Sequence, residues 1–280
     1  MIIWLASYPK SGNTLVRALL SSYIFSKDGN FNFEILKNVK QFPDNSLFKR
    51  IGVNINDEET MYKNYINSQK IFYDKKSIRF LKTHSCFVNR EGFRFTDKHN
   101  TLGVIYIVRD PRNVVTSHAH HFQQTIEKSL ENLLSHQYLG KESKTHCTTF
   151  VGSWKYHYNS WKGFEKFNRY LLIKYEDLVY DTEKTFLKIL KFIAILGKVK
   201  FTLDKEKFNN TLKTTSFDKM QKLEAEQTFA EAKENPNTGE KIKFFNLGVK
   251  NDWKKILDIE IKDKLEKELQ DEMKELNYLK

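Results

Sequence analysis

Residues Ser7–Arg17 read SYPKSGNTLVR. The run before them, MIIWLA at 1–6, is short, apolar and β-rich, which predicts a buried strand. After them, Leu15, Leu19 and Tyr23 recur at a spacing of four and predict a helix from Thr14 to about Phe25. A polar turn between strand and helix favours an anion site. The first N–H groups of a helix have no intrahelical partner and point to one spot, and a neighbouring lysine adds positive charge. An ordinary strand-to-helix turn is the competing reading. The turn is not the nucleoside-triphosphate loop GxxxxGK[ST], which places lysine after its second glycine. Lys10 instead precedes Gly12, with no glycine upstream.

Working outward, 280 residues suffice for one large α/β domain or two small ones. A hydrophobic fraction of 40% and an aromatic fraction of 14% supply a core and argue against disorder. The net charge of +12 points to acidic partners, although many lysines fall on helical stretches as a solvated basic face. The two cysteines, Cys86 and Cys147, form no disulfide framework, so a reducing compartment is expected. No apolar run reaches the roughly 18 residues of a membrane span, and Pro9 and Lys10 interrupt anything like a signal peptide. The expectation is a cytoplasmic protein without a transmembrane segment.

Further strands are predicted at IRFLKTH (78–84), LGVIYIVRD (102–110) and RYLLIKYEDL (169–178). Asp110–Pro111 stops the second of these, and Pro111 opens a helix. Residues 27–60 read as loops and short helices. Residues 125–165 read as helical, with Trp154, Tyr158 and Trp161 on one face. DTEKTFLKILKFIAIL is a capped amphipathic helix. Residues 231–241, with Pro236 and Gly239, read as a polar loop, and Ile261, Leu265, Leu269, Met273 and Leu276 as one final helix. Strands alternating with helices imply a central parallel sheet covered on both faces, in a single domain spanning 1–280.

Ligands of such sheets gather at the carboxyl ends of the strands. Lys10, His84 and Arg109 each fall just after a predicted strand, so one site is expected to hold all three. Arg109 offers a bidentate fork, and Ser117, eight residues on, lies about two turns into a helix, so the pair suits a second phosphate. An ion pair of Arg109 with a neighbouring carboxylate competes with this. His84 is a candidate general base, with Lys82 two residues earlier. Of His118, His120 and His121, only the first and last share a helix face, and no acidic or cysteine partner lies at ligand spacing, so no metal is expected. A kinase with a degenerate loop remains an alternative, although no strand ends in a clear magnesium-binding aspartate. A basic RNA-binding module lacks any RNP, KH or helix-turn-helix pattern, so nucleic acid is not an expected partner.

Taken together, six segments in order resemble the sulfotransferases that use 3'-phosphoadenosine 5'-phosphosulfate (PAPS), from residue 3 to about 275. SYPKSGNT is similar to their 5'-phosphosulfate loop, and YIVRDPRNVVTSHAHHF to their 3'-phosphate motif. LKTHS is similar to the segment bearing the catalytic histidine, YLLIKYEDL to the one whose tyrosine meets adenine, and TTSFDKM to a nucleotide-contacting segment. FFNLGVKNDWKKIL resembles the late Gly-Asp-Trp region. The resemblance implies the P-loop-like sulfotransferase fold and sulfuryl transfer to a hydroxyl or amine of a small molecule, glycan or lipid head group, with adenosine 3',5'-bisphosphate (PAP) as product. It assigns the 5' end to Lys10 and to Ser11, Gly12, Asn13 and Thr14, and the 3'-phosphate to Arg109 and Ser117. Nucleotide contacts fall to Tyr175, Thr215, Phe217 and Gly248. His84 becomes the base, Lys10 also holds the bridging oxygen, and Lys82 helps neutralise the transferring oxygens.

Two departures stand out. Leu15 replaces a tryptophan that stacks on adenine, so stacking is expected from Phe217, Trp4 or another aromatic. Asn246 and Leu247 replace an Arg-Lys pair on the 3'-phosphate, and charged hydrogen bonds contribute about 1.5–3 kcal/mol each. Lys250, Lys243 or Arg112 are the expected substitutes, and Arg17 is expected to face the nucleotide or a carboxylate. The family's dimer motif is poorly matched, which implies a monomer or weak dimer. The acceptor pocket is expected from 27–75, 120–150 and 220–245.

Overall fold

The computed structural model describes residues 1–55, 57–72, 77–140, 147–227, 229–235 and 238–280. Five parallel strands form the central sheet: β1 (Ile2–Ser7), β2 (Lys40–Gln41), β3 (Arg79–Thr83), β4 (Thr101–Val108) and β5 (Tyr170–Lys174), in the order β2-β3-β1-β4-β5. Alternation along the strands divides the core. Ile2, Trp4 and Ala6 with Val104, Tyr106 and Val108 face one layer, and Ile3 and Leu5 with Ile105 and Ile107 face the other. Both layers are helical, which is the arrangement that a parallel sheet of near-continuous apolar strands requires.

The helices are α1 (Asn13–Phe25), α2 (Asn45–Arg50), α3 (Glu58–Gln69), α4 (Pro111–Phe122), α5 (Ile126–Leu134) and α6 (Trp154–Lys162). They continue with α7 (Tyr175–Tyr180), α8 (Thr182–Gly197), α9 (Lys205–Thr214), α10 (Phe217–Glu226), α11 (Ile259–Glu268) and α12 (Gln270–Glu275). Val16 and Leu19 of α1, Phe186 and Ile189 of α8 and Phe208 of α9 cover the second face. Residues of α4, α5, α6 and α11 cover the first. Among the described residues no helix is long and apolar enough to cross a membrane.

The predicted strands and the helices after Asn13, Pro111 and Asp181 are present, except that the strand expected over 169–178 ends at Lys174 and its remainder, from Tyr175, is the helix α7. Three further expectations are corrected. Residues 125–165 are not one helical stretch: α5 ends before Ser135, Leu139–Gly140 pairs with Thr149–Phe150, and Ser153 then caps α6. Trp154, Tyr158 and Trp161 are nevertheless buried on one face of α6. The final helix is broken at Leu269. A stripe spaced by four drifts around a straight helix of 3.6 residues per turn, and the break returns Met273 and Leu276 to the core. The polar loop at 231–241 contains a short antiparallel pair, Lys233–Glu234 with Lys241–Ile242. Pro236, expected there as a breaker, lies outside the described residues. The loop-rich stretch 27–60 also leads into α3, a helix of 12 residues.

Candidate active site

Because the strands are parallel, their carboxyl ends share one edge, and a cleft of about 1500 Å³ opens there. The strand order reverses direction beside β1, which places the cleft at the switch point of the sheet. Past β1 the backbone enters the left-handed region at Lys10 (φ 66°) and Gly12 (φ 100°), then starts α1. A β-carbon on Gly12 would lie 2.6 Å from the Tyr175 ring, so both dihedral and space require glycine. Among the described residues no side chain caps α1, and its first turn holds no acid. The Asn13 side chain ties the loop to β1, donating to Leu5 O at 2.9 Å and Ser7 Oγ at 3.2 Å. It is therefore committed to the loop. Ser11 Oγ is buried without a partner among the described residues.

Arg109 follows β4. Its Nη1 donates to Lys10 O at 3.0 Å, its guanidinium lies 4.2 Å over the Tyr175 ring, and its Nε is buried and unpartnered among the described residues. Ser117 of α4 and Tyr175 of α7 line the same cleft. Phe217 lies against Gly248, where a β-carbon would approach the ring to 2.6 Å. Thr215 is not brought to the cleft: it is buried at the end of α9, and its hydroxyl donates to Thr211 O at 2.7 Å. Its neighbours Ser216 and Phe217 line the cleft instead.

Of the expected substitutes for lost contacts, Lys250 is at the cleft and Lys243 is not among its lining residues. Arg112 is committed elsewhere, paired with Asp110 and Glu266 and stacked at 4.1 Å on Trp253. Trp4 is sealed in the core with its indole N–H on Thr101 Oγ1 at 3.0 Å, so it cannot stack on a ligand.

Lys82 and His84 stand at the end of β3. His84 Nδ1 is 2.7 Å from Ser7 O. A carbonyl only accepts, so Nδ1 carries the proton and Nε2 keeps its lone pair. Burial, then Lys82, lowers the His84 pKa to about 3, which keeps the ring neutral. Lys10 Nζ lies 4.0 Å over the Phe244 ring, and burial, then Arg109, lowers its pKa to about 7.

Sequence reasoning missed Glu231. Its carboxylate accepts from Thr14 Oγ1 at 3.1 Å, pairs with Arg17, and lies 3.5 Å from Lys82 Nζ. Burial opposes its ionisation, but Arg17 and Lys82 outweigh burial and hold the carboxyl well below its ordinary range. Arg17 thus meets the carboxylate that its position suggested. The histidines of α4 pack or line: His118 lies between Ser129, Gln124 and Tyr138, and His121 stands edge-on to Phe244 at 5.6 Å. Among the described residues no group of three or more His, Cys, Asp or Glu could hold a metal.

The sequence profile of the sulfotransferase domain matches residues 2–277. The chain belongs to the sulfotransferase family. The sulfotransferase is 24% identical to flavonol 3-sulfotransferase of Flaveria bidentis, over 95% of this chain and 79% of that one. Its fold is that of mouse sulfotransferase SULT7A1, solved with PAP (TM-score 0.59, 20% identity, 97% of this chain and 84% of that one). It is also that of retinol dehydratase, solved with androsterone and inactive cofactor PAP (TM-score 0.61, 18% identity, 98% and 80%).

Proposed function

We propose that this sulfotransferase moves a sulfuryl group from PAPS to a hydroxyl or amine of a small-molecule acceptor, leaving PAP. One observation carries the reading: Lys10, Lys82, His84, Arg109 and Ser117, drawn from three strand ends and α4, line a single cleft beside the uncapped start of α1. The residues present suit the donor. Ser11 Oγ and Arg109 Nε are buried polar groups lacking partners among the described residues, and a phosphate ester is a ready acceptor for both. PAP in the solved relatives supports the same donor.

Lys10, Thr14 and the first amides of α1 would hold the 5' end, Arg109 and Ser117 the 3'-phosphate, and Phe217 and Tyr175 the base. PAPS, when bound, supplies an activated sulfuryl group. The neutral His84, oriented by Ser7 O, takes the acceptor proton at Nε2, and the negative charge of the bound donor offsets the burial that lowers its pKa. Lys10 and Lys82 place positive charge where negative charge accumulates, and a loose transition state gains mainly from such placement. For the acceptor, Phe33, Phe229 and Tyr138 give the cleft aromatic walls, while the expected segments contribute only in part. From 27–75 the lining comes from 33–46, and residues 56, 73–75, 141–146, 228 and 236–237 lie outside the described structure. Aromatic walls set among polar side chains such as Gln41, Gln124 and Asn132 suit a hydroxylated molecule with an apolar body, and the androsterone bound by one relative supports that class.

Calorimetric titration with PAP, with AMP as control, tests the reading without knowledge of the acceptor. Binding that needs the 3'-phosphate and weakens about tenfold or more in Arg109→Ala is expected. His84→Ala should keep PAP binding and lose turnover. A preference for AMP, or undiminished turnover without His84, overturns the corresponding assignment.

A further inference from the structure

Glu231 stands in a turn between Phe229, whose ring stacks on Phe33 at 4.5 Å, and the Lys233–Glu234 strand. Its carboxylate oxygens divide their work. Oε1 is paired with Arg17, whereas Oε2 accepts from Thr14 Oγ1 at 3.1 Å and lies 3.5 Å from Lys82 Nζ. Thr14 and Lys82 are two of the groups assigned above to the 5' end of the donor and the transferring oxygens. A carboxylate on both does the work of a bound anion: it satisfies a hydroxyl and neutralises a buried ammonium.

Arg17 is anchored independently, with Nη2 donating to Leu36 O at 3.3 Å and Val39 O at 3.1 Å. The Glu231 side chain is 25% exposed and lines the cleft. It can therefore rotate Oε2 away while Oε1 stays on Arg17.

We propose that Glu231 is an internal anion holding the 5' end of the donor cleft, and that the donor's 5'-phosphate must displace its carboxylate from Thr14 and Lys82. The proposal rests on the PAPS reading. It makes donor affinity a difference between two anions, and it makes Glu231 a selector for ligands that bring charge to the 5' end. Arg109 and Ser117 make no hydrogen bond or ion pair with Glu231 among the described residues, so binding through the 3'-phosphate is indifferent to it.

The test titrates PAP, AMP and adenosine 3'-monophosphate into the unaltered protein and Glu231→Gln, which keeps the shape of the side chain and removes its charge. PAP and AMP should bind about tenfold tighter to the variant, a change of about 1.4 kcal/mol, with adenosine 3'-monophosphate unchanged. If PAP and AMP bind the folded variant equally or more weakly, Glu231 is not a competitor and the proposal fails. Should Glu231→Gln lose its fold by circular dichroism, Glu231→Asp decides. The shorter side chain stays charged but pulls Oε2 off Thr14, so tighter PAP binding supports the proposal and equal or weaker binding overturns it. Failure of the donor reading looks different: the unaltered protein would then bind PAP no better than AMP.

Discussion

Lys10 combines two unfavourable states. Its backbone sits at φ 66°, a region that costs a non-glycine residue about 1–2 kcal/mol, and burial, then Arg109, brings its ammonium to a pKa of about 7. Both features fit a group waiting for an anion, since a phosphate beside Lys10 restores the charged form. The sign follows from linkage. A bound anion raises the Lys10 pKa, so binding takes up a proton, and affinity falls as pH rises through about 7. Between pH 7 and 9, where the phosphates of PAP keep a constant charge, the Kd should rise by up to about tenfold per pH unit. Lys10→Arg, which stays charged, should flatten the profile; a flat profile in the unaltered protein would remove Lys10 from the anion contacts. The convergence of Lys10, His84 and Arg109 on one cleft was legible in the sequence, because each stands near the end of an apolar run and parallel strands bring such positions to one edge. Glu231 was not legible, because its partner Arg17 lies 214 residues away and nothing local distinguishes it from the other acids of a polar loop. Thr215 was misplaced for a related reason: its hydroxyl finds a carbonyl of its own helix before it can reach a ligand.

At the level of elements, the unit β1–turn–α1 is the proposed seat of the donor's 5' end, and Gly12 is its tightest point. Its φ of 100°, and a Tyr175 ring only 2.6 Å from where a β-carbon would stand, leave no room for a side chain. Tyr175 in turn stacks under Arg109 at 4.2 Å, so a displaced ring would also shift the guanidinium proposed for the 3'-phosphate. Gly12→Ala is expected to lose about 1–3 kcal/mol in urea unfolding and to weaken PAP binding; unchanged stability and affinity would contradict the packing argument. This unit was readable because a strand, a glycine turn and a helix stripe follow one another with no long-range choice. The stretch 125–165 was less so. Its apolar spacing fits a helix, yet the pairing of Leu139–Gly140 with Thr149–Phe150 depends on a partner strand that a periodicity scan does not see. The tail shows a different limit: its stripe named the right core residues, while nothing in their spacing marks the break at Leu269.

Across the whole molecule, the basic composition does not spread evenly into function. Exposed lysines such as Lys63 and Lys128 pair with acids one turn away, whereas Lys10, Arg17, Lys82 and Arg109 converge on one cleft. Concentrating cations there has a consequence for the histidines around it. His118 and His157 are fully buried, and their pKa values lie near 3, lowered by burial and, for His118, by Lys10. His157 is satisfied as a neutral ring: Nε2 donates to His84 O at 3.1 Å and Nδ1 accepts from Tyr106 OH at 2.8 Å. In the unfolded chain a histidine titrates near 6.5. Between pH 6.5 and about 3 the unfolded state therefore holds protons that the folded state excludes, and stability rises with pH across that window. The contribution is complete above about pH 6.5 and is lost on acidification, by on the order of 1.4 kcal/mol per pH unit for each fully buried histidine. His84 and His121, also lowered by burial, act in the same direction. Urea unfolding at pH 7.5, 6.0 and 5.0 should show stability falling steeply below pH 6, well above the range in which carboxylates titrate. His118→Gln, whatever its effect at pH 7.5, should reduce the slope by about one proton. A slope that His118→Gln leaves untouched would mean that this ring is protonated in the fold, and that the neutral ring's bonds to Ser129 of α5, Gln124 and Tyr138 are not what join α4 to α5.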